Sequence, residues 1–348
     1  MMSVPDPASP RKPRRLGLYL PFAIALLAII AWSILWVWAR GEAVRRLDAA
    51  VAGLDGGGYR IAWKDRQVGG YPFRLDVTLI DAHVREPSGW GLDAPRLEAE
   101  AYLHAPGHWL IAAPVGLSFV RPEGGPVAVT GRILHASLTN LDKRPPSFSF
   151  EGAGLTFQPG PGARPFFLAG ADHAEFHLRA GPDDEGGVFL NLTGGKAAPG
   201  GLFARISGDK PIALVWNSTL SKMSAFTGPD WPGAVRHWSA AGGQITVREG
   251  EVTAGEAMAQ TRAGALTVGD DGRVRGSLPV TLRQAPRVLQ AMGASGLLPP
   301  ESAEAAATVA QVSEGPDHLA RAAIDFQAGR ATLGPAAVGP APKVYTPR

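Results

Sequence analysis

The sequence predicts a mainly β (α+β) protein in which an N-terminal transmembrane helix precedes a large antiparallel β-sheet domain, curved or sandwich-like, with a few peripheral helices. Three observations predict it. Residues 16–39 form a run of 24 residues without a charge. After Tyr59 the apolar residues stop recurring every three or four positions and begin to alternate. The 348 residues include 44 Gly and 31 Pro yet remain 45% hydrophobic, the mixture that many short strands joined by turns require.

The uncharged run lies between Arg15 and Arg40. As a helix it would be about 36 Å long at ~1.5 Å per residue, enough to cross a hydrocarbon core of about 30 Å with some tilt. Pro21 sits near its start, where a helix tolerates proline best. Trp32, Trp36 and Trp38 gather at the far end and Tyr19 stands near the other, in the manner of interfacial aromatic belts. Leu16 opens the segment. Arg11, Lys12, Arg14 and Arg15 precede it, against Asp6, whereas Arg40, Arg45 and Arg46 are mixed with Glu42 and Asp48. The positive-inside rule therefore orients the N-terminus to the cytoplasm. The competing reading, a cleaved signal peptide, calls for an apolar core of about 7–15 residues followed by small residues; this one is longer and ends in Trp36-Val37-Trp38.

Residues 41–54 continue as an amphipathic helix, with Val44, Leu47, Val51 and Leu54 at helical spacing, and Gly56-Gly57-Gly58 ends it. The stripe suits packing on the β domain, with self-association as the alternative. Alternation follows. Phe73, Leu75, Val77 and Leu79 share one face, as do Leu97, Ala99, Ala101 and Leu103; Ala174, Phe176 and Leu178 oppose His173, Glu175, His177 and Arg179; Val274, Leu278, Val280 and Leu282 come later. One apolar and one polar face point to antiparallel strands. Three helices interrupt them: one capped by Asp230 with Pro232 in its first turn and Gly242-Gly243 at its end, one over about 285–293, and one over about 300–312. A last strand, Arg321 to Gln327, leads to a Pro-rich tail expected to be loosely ordered. The organisation read from this is a basic tail (1–15), an anchor (16–39), a juxtamembrane helix and Gly turn (40–58), a β-rich domain (59–334) with a sub-boundary near 219–242, and the tail (335–348). One curved sheet or two separate sheets would both fit.

Composition excludes several classes. With no cysteine there are no disulfides, thiolate metal sites or cysteine nucleophiles. The pI near 9.3 comes from the first fifteen residues; positions 16–348 hold 30 basic and 30 acidic residues, which leaves no electrostatic footprint for nucleic acid.

Gly69-Gly70-Tyr71-Pro72-Phe73-Arg74-Leu75-Asp76 is the most distinctive stretch. Its glycines allow a tight turn, Pro72 suits the first position of the next strand, and Phe73 is expected to begin that strand's apolar face. A turn that sets register explains Gly70, Tyr71, Pro72 and Phe73 better than a ligand contact does. The order of basic tail, anchor, short helix, the Trp63 strand and this motif, then Ala94-Pro95-Arg96-Leu97-Glu98-Ala99, Ala105-Pro106-Gly107-His108, Trp238 to Gly243 and Gly264 to Gly276, resembles the DUF2125 family, a domain of unknown function in Gram-negative bacteria. The general layout is similar to AsmA-like envelope proteins. The resemblance implies an inner-membrane protein with its main domain in the periplasm, and the second likeness implies lipid transport or outer-membrane homeostasis by analogy of architecture. Neither supplies a catalytic residue.

The search for chemistry returns little. His173, Glu175 and His177 could hold zinc from one strand face, but a solvated polar face explains them, and their order differs from the zinc-protease helix motif. His104 and His108 straddle Pro106-Gly107 in a loop. No nucleophile elbow, P-loop or dinucleotide fingerprint occurs. No catalytic, metal or cofactor residue is assigned, and none of these is expected; the chain is read as a non-enzyme. Trp63, Trp90, Trp109, Trp216, Trp231 and Trp238 are expected in the core. Two functions fit the layout: lipid or hydrophobic-ligand handling on an apolar sheet face, and a tethered scaffold for another envelope protein.

Overall fold

The computed structural model describes residues 16–347 except 142 and 144, with side chains from Tyr19 onward. The basic tail, and with it the charge count behind the orientation, lies outside the described residues, as does the Leu16 side chain.

A single helix, α1 (Leu16–Asp55), joins the anchor to the juxtamembrane stretch without a break. It is long and apolar enough to cross a membrane. Val44, Leu47 and Val51 are half-buried along the body, while Leu54 stays exposed. Arg40 donates to the Val68 carbonyl, and Arg66 pairs with Asp48 at 2.5 Å, so the helix runs beside the first strands. At its end Gly57 packs so closely on the Pro229 carbonyl that a Cβ would lie 2.7 Å from that oxygen.

All the strands form one antiparallel sheet. β1 (Arg60–Ala62) and β2 (Asp65–Gly69) share an edge position beside β3 (Arg74–Arg85), which pairs with β4 (Gly91–Tyr102). β4 pairs with β5 (Trp109–Ala112) and β6 (Leu117–Arg121); β6 pairs with β7 (Gly125–Thr130) and β5 with β8 (Ile133–Thr139). Both of these join β9 (Ser147–Pro159), and a meander follows through β10 (Leu168–Ala180), β11 (Gly186–Ala197), β12 (Ile212–Leu220) and β13 (Ile245–Ala254). β14 (Ala257–Thr261) and β15 (Gly264–Val268) bridge β13 to β16 (Val274–Arg283), and β17 (Ala320–Gln327), β18 (Arg330–Leu333) and β19 (Ala336–Pro340) complete the sheet. Because β12 pairs directly with β13, the sheet continues across residues 219–242. Glu86, just beyond β3, accepts from the Trp231 amide at 3.5 Å, so the end of β3 meets the start of the helix that spans Trp231–Ala240.

α2 (Leu202–Ser207) was not anticipated from the sequence. α3 (Trp231–Ala240), α4 (Ala285–Ala294) and α5 (Pro300–Val312) lie where composition and capping placed them. Asp230 caps α3 by accepting from the Gly233 amide at 2.8 Å. α4 and α5 cover β14 to β19, and Leu266, Leu278, Leu289, Leu298 and Ala306 form the largest core beneath them.

Three expectations need correction. The tail is ordered: β19 extends the sheet, Ala341 and Tyr345 are buried, and the Tyr345 hydroxyl donates to the Asp270 carbonyl at 3.2 Å. Its Ala, Val and Tyr residues supply apolar area that proline content had hidden, and an edge strand tolerates the prolines. Phe73 does not begin the apolar strand face, because it and Pro72 belong to the turn before β3, whose buried face starts at Leu75. Of the six body tryptophans only Trp238 is fully buried; Trp90 stacks on Phe119 and Trp231 stays exposed while donating to the Val344 carbonyl.

Candidate functional site

Two features stand out, and they meet at β2 and β3. The first is the junction of turn and anchor. Gly70 has φ +96°, and a Cβ there would lie 2.6 Å from the Arg74 carbonyl oxygen, so only glycine lets the Arg74 amide close on the Gly70 carbonyl at 2.9 Å. A cis peptide bond joins Tyr71 to Pro72. The turn lies on α1. Trp32 Nε1 donates to the Pro72 carbonyl at 2.7 Å, and Trp36 Nε1 to the Arg74 carbonyl at 2.8 Å. Ser33 Oγ donates to the Ile29 carbonyl at 2.8 Å, which leaves its lone pairs to accept from the Tyr71 hydroxyl at 2.9 Å. The Trp32 and Phe73 rings are 6.2 Å apart, and the Trp36 and Tyr71 rings meet edge-on at 5.6 Å. Two groups of residues that the sequence singles out separately are thus one contact. Trp38 takes no part and is 60% exposed.

The second feature is the apolar face of the sheet. Register aligns Val68, Val77, Ala99, Ile111, Ala136, Phe150, Phe176, Leu190 and Trp216 in one row across β2 to β12. At ~4.8 Å per strand the row is about 38 Å long. A parallel row runs through Leu134, Gly152, Ala174, Leu192, Leu214, Val252, Ala259, Leu282 and Ala320. From β13 onward helices cover this face. Over β4 to β12 most of the first row is only half-buried. The second row ends in an apolar cavity of about 260 Å³ lined by Val252, Ala257, Leu282, Val288, Leu289 and Met292, with Phe203 and Ile206 of α2 at its side; Arg283 is the charged group in its wall.

The polar face carries the titratable groups. Glu175 accepts from Asn191 at 3.0 Å and faces His177 at 3.3 Å, and His135 faces Glu151 at 3.2 Å. The Asn191 hydrogen bond, followed by the contact with His177, holds the Glu175 carboxyl below its ordinary range. Among the described residues no three His, Asp or Glu side chains converge on a point where they could hold a metal ion. His104 lies against Tyr102, with ring centres 5.3 Å apart, and His108 is exposed. The cavity under α4 escaped the sequence reading. Its lining comes from eight elements, α2, β13, β14, β16, α4, β17, β18 and β19, and of these only the alternation of β16 was legible in the sequence.

A protein-family model described as an uncharacterized protein conserved in bacteria, DUF2125, matches residues 36–342. The chain belongs to that family. The match begins at Trp36, so it takes in the tryptophan that meets the turn and the whole sheet. No curated protein and no solved structure matches the chain. Membership in DUF2125 therefore carries no activity with it.

Proposed function

We propose that this DUF2125 protein is a single-pass inner-membrane protein, its N-terminus in the cytoplasm and its body in the periplasm, that holds lipid acyl chains on the apolar face of its sheet. The observation that carries the proposal is the first apolar row. It is continuous in register and half-buried over β4 to β12, where α2 reaches the sheet at β11 beside Leu192, and it begins beside α1. A row of this kind in an aqueous compartment invites an apolar partner. An acyl chain laid along it gains about 0.8 kcal/mol for each methylene removed from water. The cavity under α4 would take a chain end, with Arg283 suited to an anionic group. In this reading the general layout is similar to that of AsmA-like envelope proteins, an analogy of architecture that would suit a role in lipid handling or envelope maintenance. In this reading the chain works by binding and not by catalysis.

The test is photocrosslinking in cells from Ile111, Phe150 and Leu190, with Glu151 on the opposite face as control. Phospholipid adducts at the row and none at Glu151 are the expected result. Equal yields from both faces, or adducts with a single protein at all three row positions, would overturn the lipid reading; the latter would establish a scaffold.

A further inference from the structure

We propose that the β2–β3 turn, Tyr71-Pro72-Phe73, is a second membrane-inserted element, seated among lipid chains on the flank of α1. The proposal rests on α1 crossing the membrane and is independent of any lipid carried on the sheet.

Depth is the first argument. Trp32 stands eight residues before Arg40, the charge that closes the apolar run. Eight residues of helix are about 12 Å. The Pro72 carbonyl, 2.7 Å from Trp32 Nε1, therefore lies well inside the level of Arg40. If α1 is in the bilayer, this turn is too.

The second argument is the backbone. An irregular turn in water leaves its carbonyls to solvent, whereas in hydrocarbon each unpaired carbonyl is costly and such loops are excluded unless satisfied. Here four carbonyls of the turn are taken up by protein donors. Gly70 accepts from the Arg74 amide, Pro72 from Trp32 Nε1, Phe73 from the Leu103 amide and Arg74 from Trp36 Nε1. Pro72 has no amide to satisfy. The two indoles do what water would otherwise do.

The third argument is the side chains. Phe73 is 65% exposed and Tyr71 52%, an aromatic pair that meets α1 on one side and leaves most of its surface uncovered. The nearest charges turn away: Arg74 reaches along the sheet to Glu100 at 2.9 Å and Asp76 at 3.4 Å, as a side chain does when it snorkels out of the apolar layer. An apolar tip, a turn with four of its carbonyls satisfied by protein donors and withdrawn charge together fit a lipid environment.

The chain has no native cysteine, so single-site labels are direct. Full-length Leu26→Cys, Tyr71→Cys, Phe73→Cys and Phe119→Cys would each be spin-labelled in vesicles of phosphatidylethanolamine and phosphatidylglycerol. Accessibility to oxygen is then compared with accessibility to a soluble nickel chelate. Phe119 pairs with Leu92, at the opposite end of β4 from Tyr102, and reports the aqueous body. Positions 26, 71 and 73 are expected to favour oxygen several-fold relative to position 119. Trp32→Phe combined with Trp36→Phe should raise nickel access at position 73. Lipid-like behaviour at 26 with water-like behaviour at both 71 and 73 overturns the proposal and leaves the anchor standing. Water-like behaviour at 26 removes the anchor and the proposal with it.

Discussion

Gly152 and Leu155 show how tightly the apolar face is fitted, and they allow a quantitative check. Gly152 sits in the second row between Leu134 and Ala174. Leu155, 4% exposed, folds over it: a Cβ on Gly152 would lie 2.8 and 3.0 Å from the two δ-carbons of Leu155. Gly152 has no positive φ, so the backbone accepts alanine and the cost is one of packing. Gly152→Ala alone should destabilise by about 1–3 kcal/mol through overpacking. Leu155→Ala alone should cost about 2–5 kcal/mol, the transfer of its methyl groups plus the cavity left behind. In the double variant the new methyl group enters space that Leu155 has vacated, so the clash disappears and part of the cavity is filled. The double variant should then be more stable than the sum of the singles by ~1 kcal/mol or more. Urea titration of the full chain in a mild detergent, followed by circular dichroism, measures all four proteins; a change in midpoint at constant slope is the readout. Additivity within ~0.5 kcal/mol would refute the packing argument.

Two more predictions concern the body. Gly243→Ala would place a Cβ 2.2 Å from the indole of Trp238, which is 1% exposed and donates to the Ser221 carbonyl at 2.6 Å, so the ring has nowhere to go. A loss of about 3 kcal/mol or more is expected, with a lower melting temperature, whereas Gly242→Ala should act only through its φ of +80° and cost less. At Asp93, burial raises the carboxyl pKa, but hydrogen bonds from Arg85 and His83, both at 2.6 Å, outweigh it and hold the group below its ordinary range. A depressed folded-state pKa adds stability above the unfolded value of about 3.9 and loses it as pH falls through the lower folded value. Asp93→Asn should therefore cost about 1 kcal/mol at pH 7, a figure kept small by partial solvent screening. The gap to the parent protein should close as pH falls below about 4; denaturation midpoints from pH 7 downward check it, and a constant gap would rule the linkage out.

Local chemistry is what the sequence by itself determined. The uncharged run makes the long helix unavoidable, because no other backbone satisfies its polar groups in an apolar setting. Alternation in β3, β4, β10 and β16 states which side chains share a face, since a pleated strand has a period of two. Asp230 with Pro232, and the Ala-rich stretch at 300–312, mark helices through capping and propensity acting within a few residues. The family could also be read from the order of these elements. Tertiary structure alone decided the rest. Trp32 and Trp36 are separated from Tyr71 and Pro72 by about forty residues, and their pairing depends on β2 running back along α1. The apolar rows exist only in register, which each strand shares with its neighbours and cannot carry alone. The proline-rich tail is ordered because Trp231, Trp238 and Asp270 meet it across the fold. Contacts of this kind join segments far apart in the chain through the pairing of many strands, and no window of sequence contains that pairing.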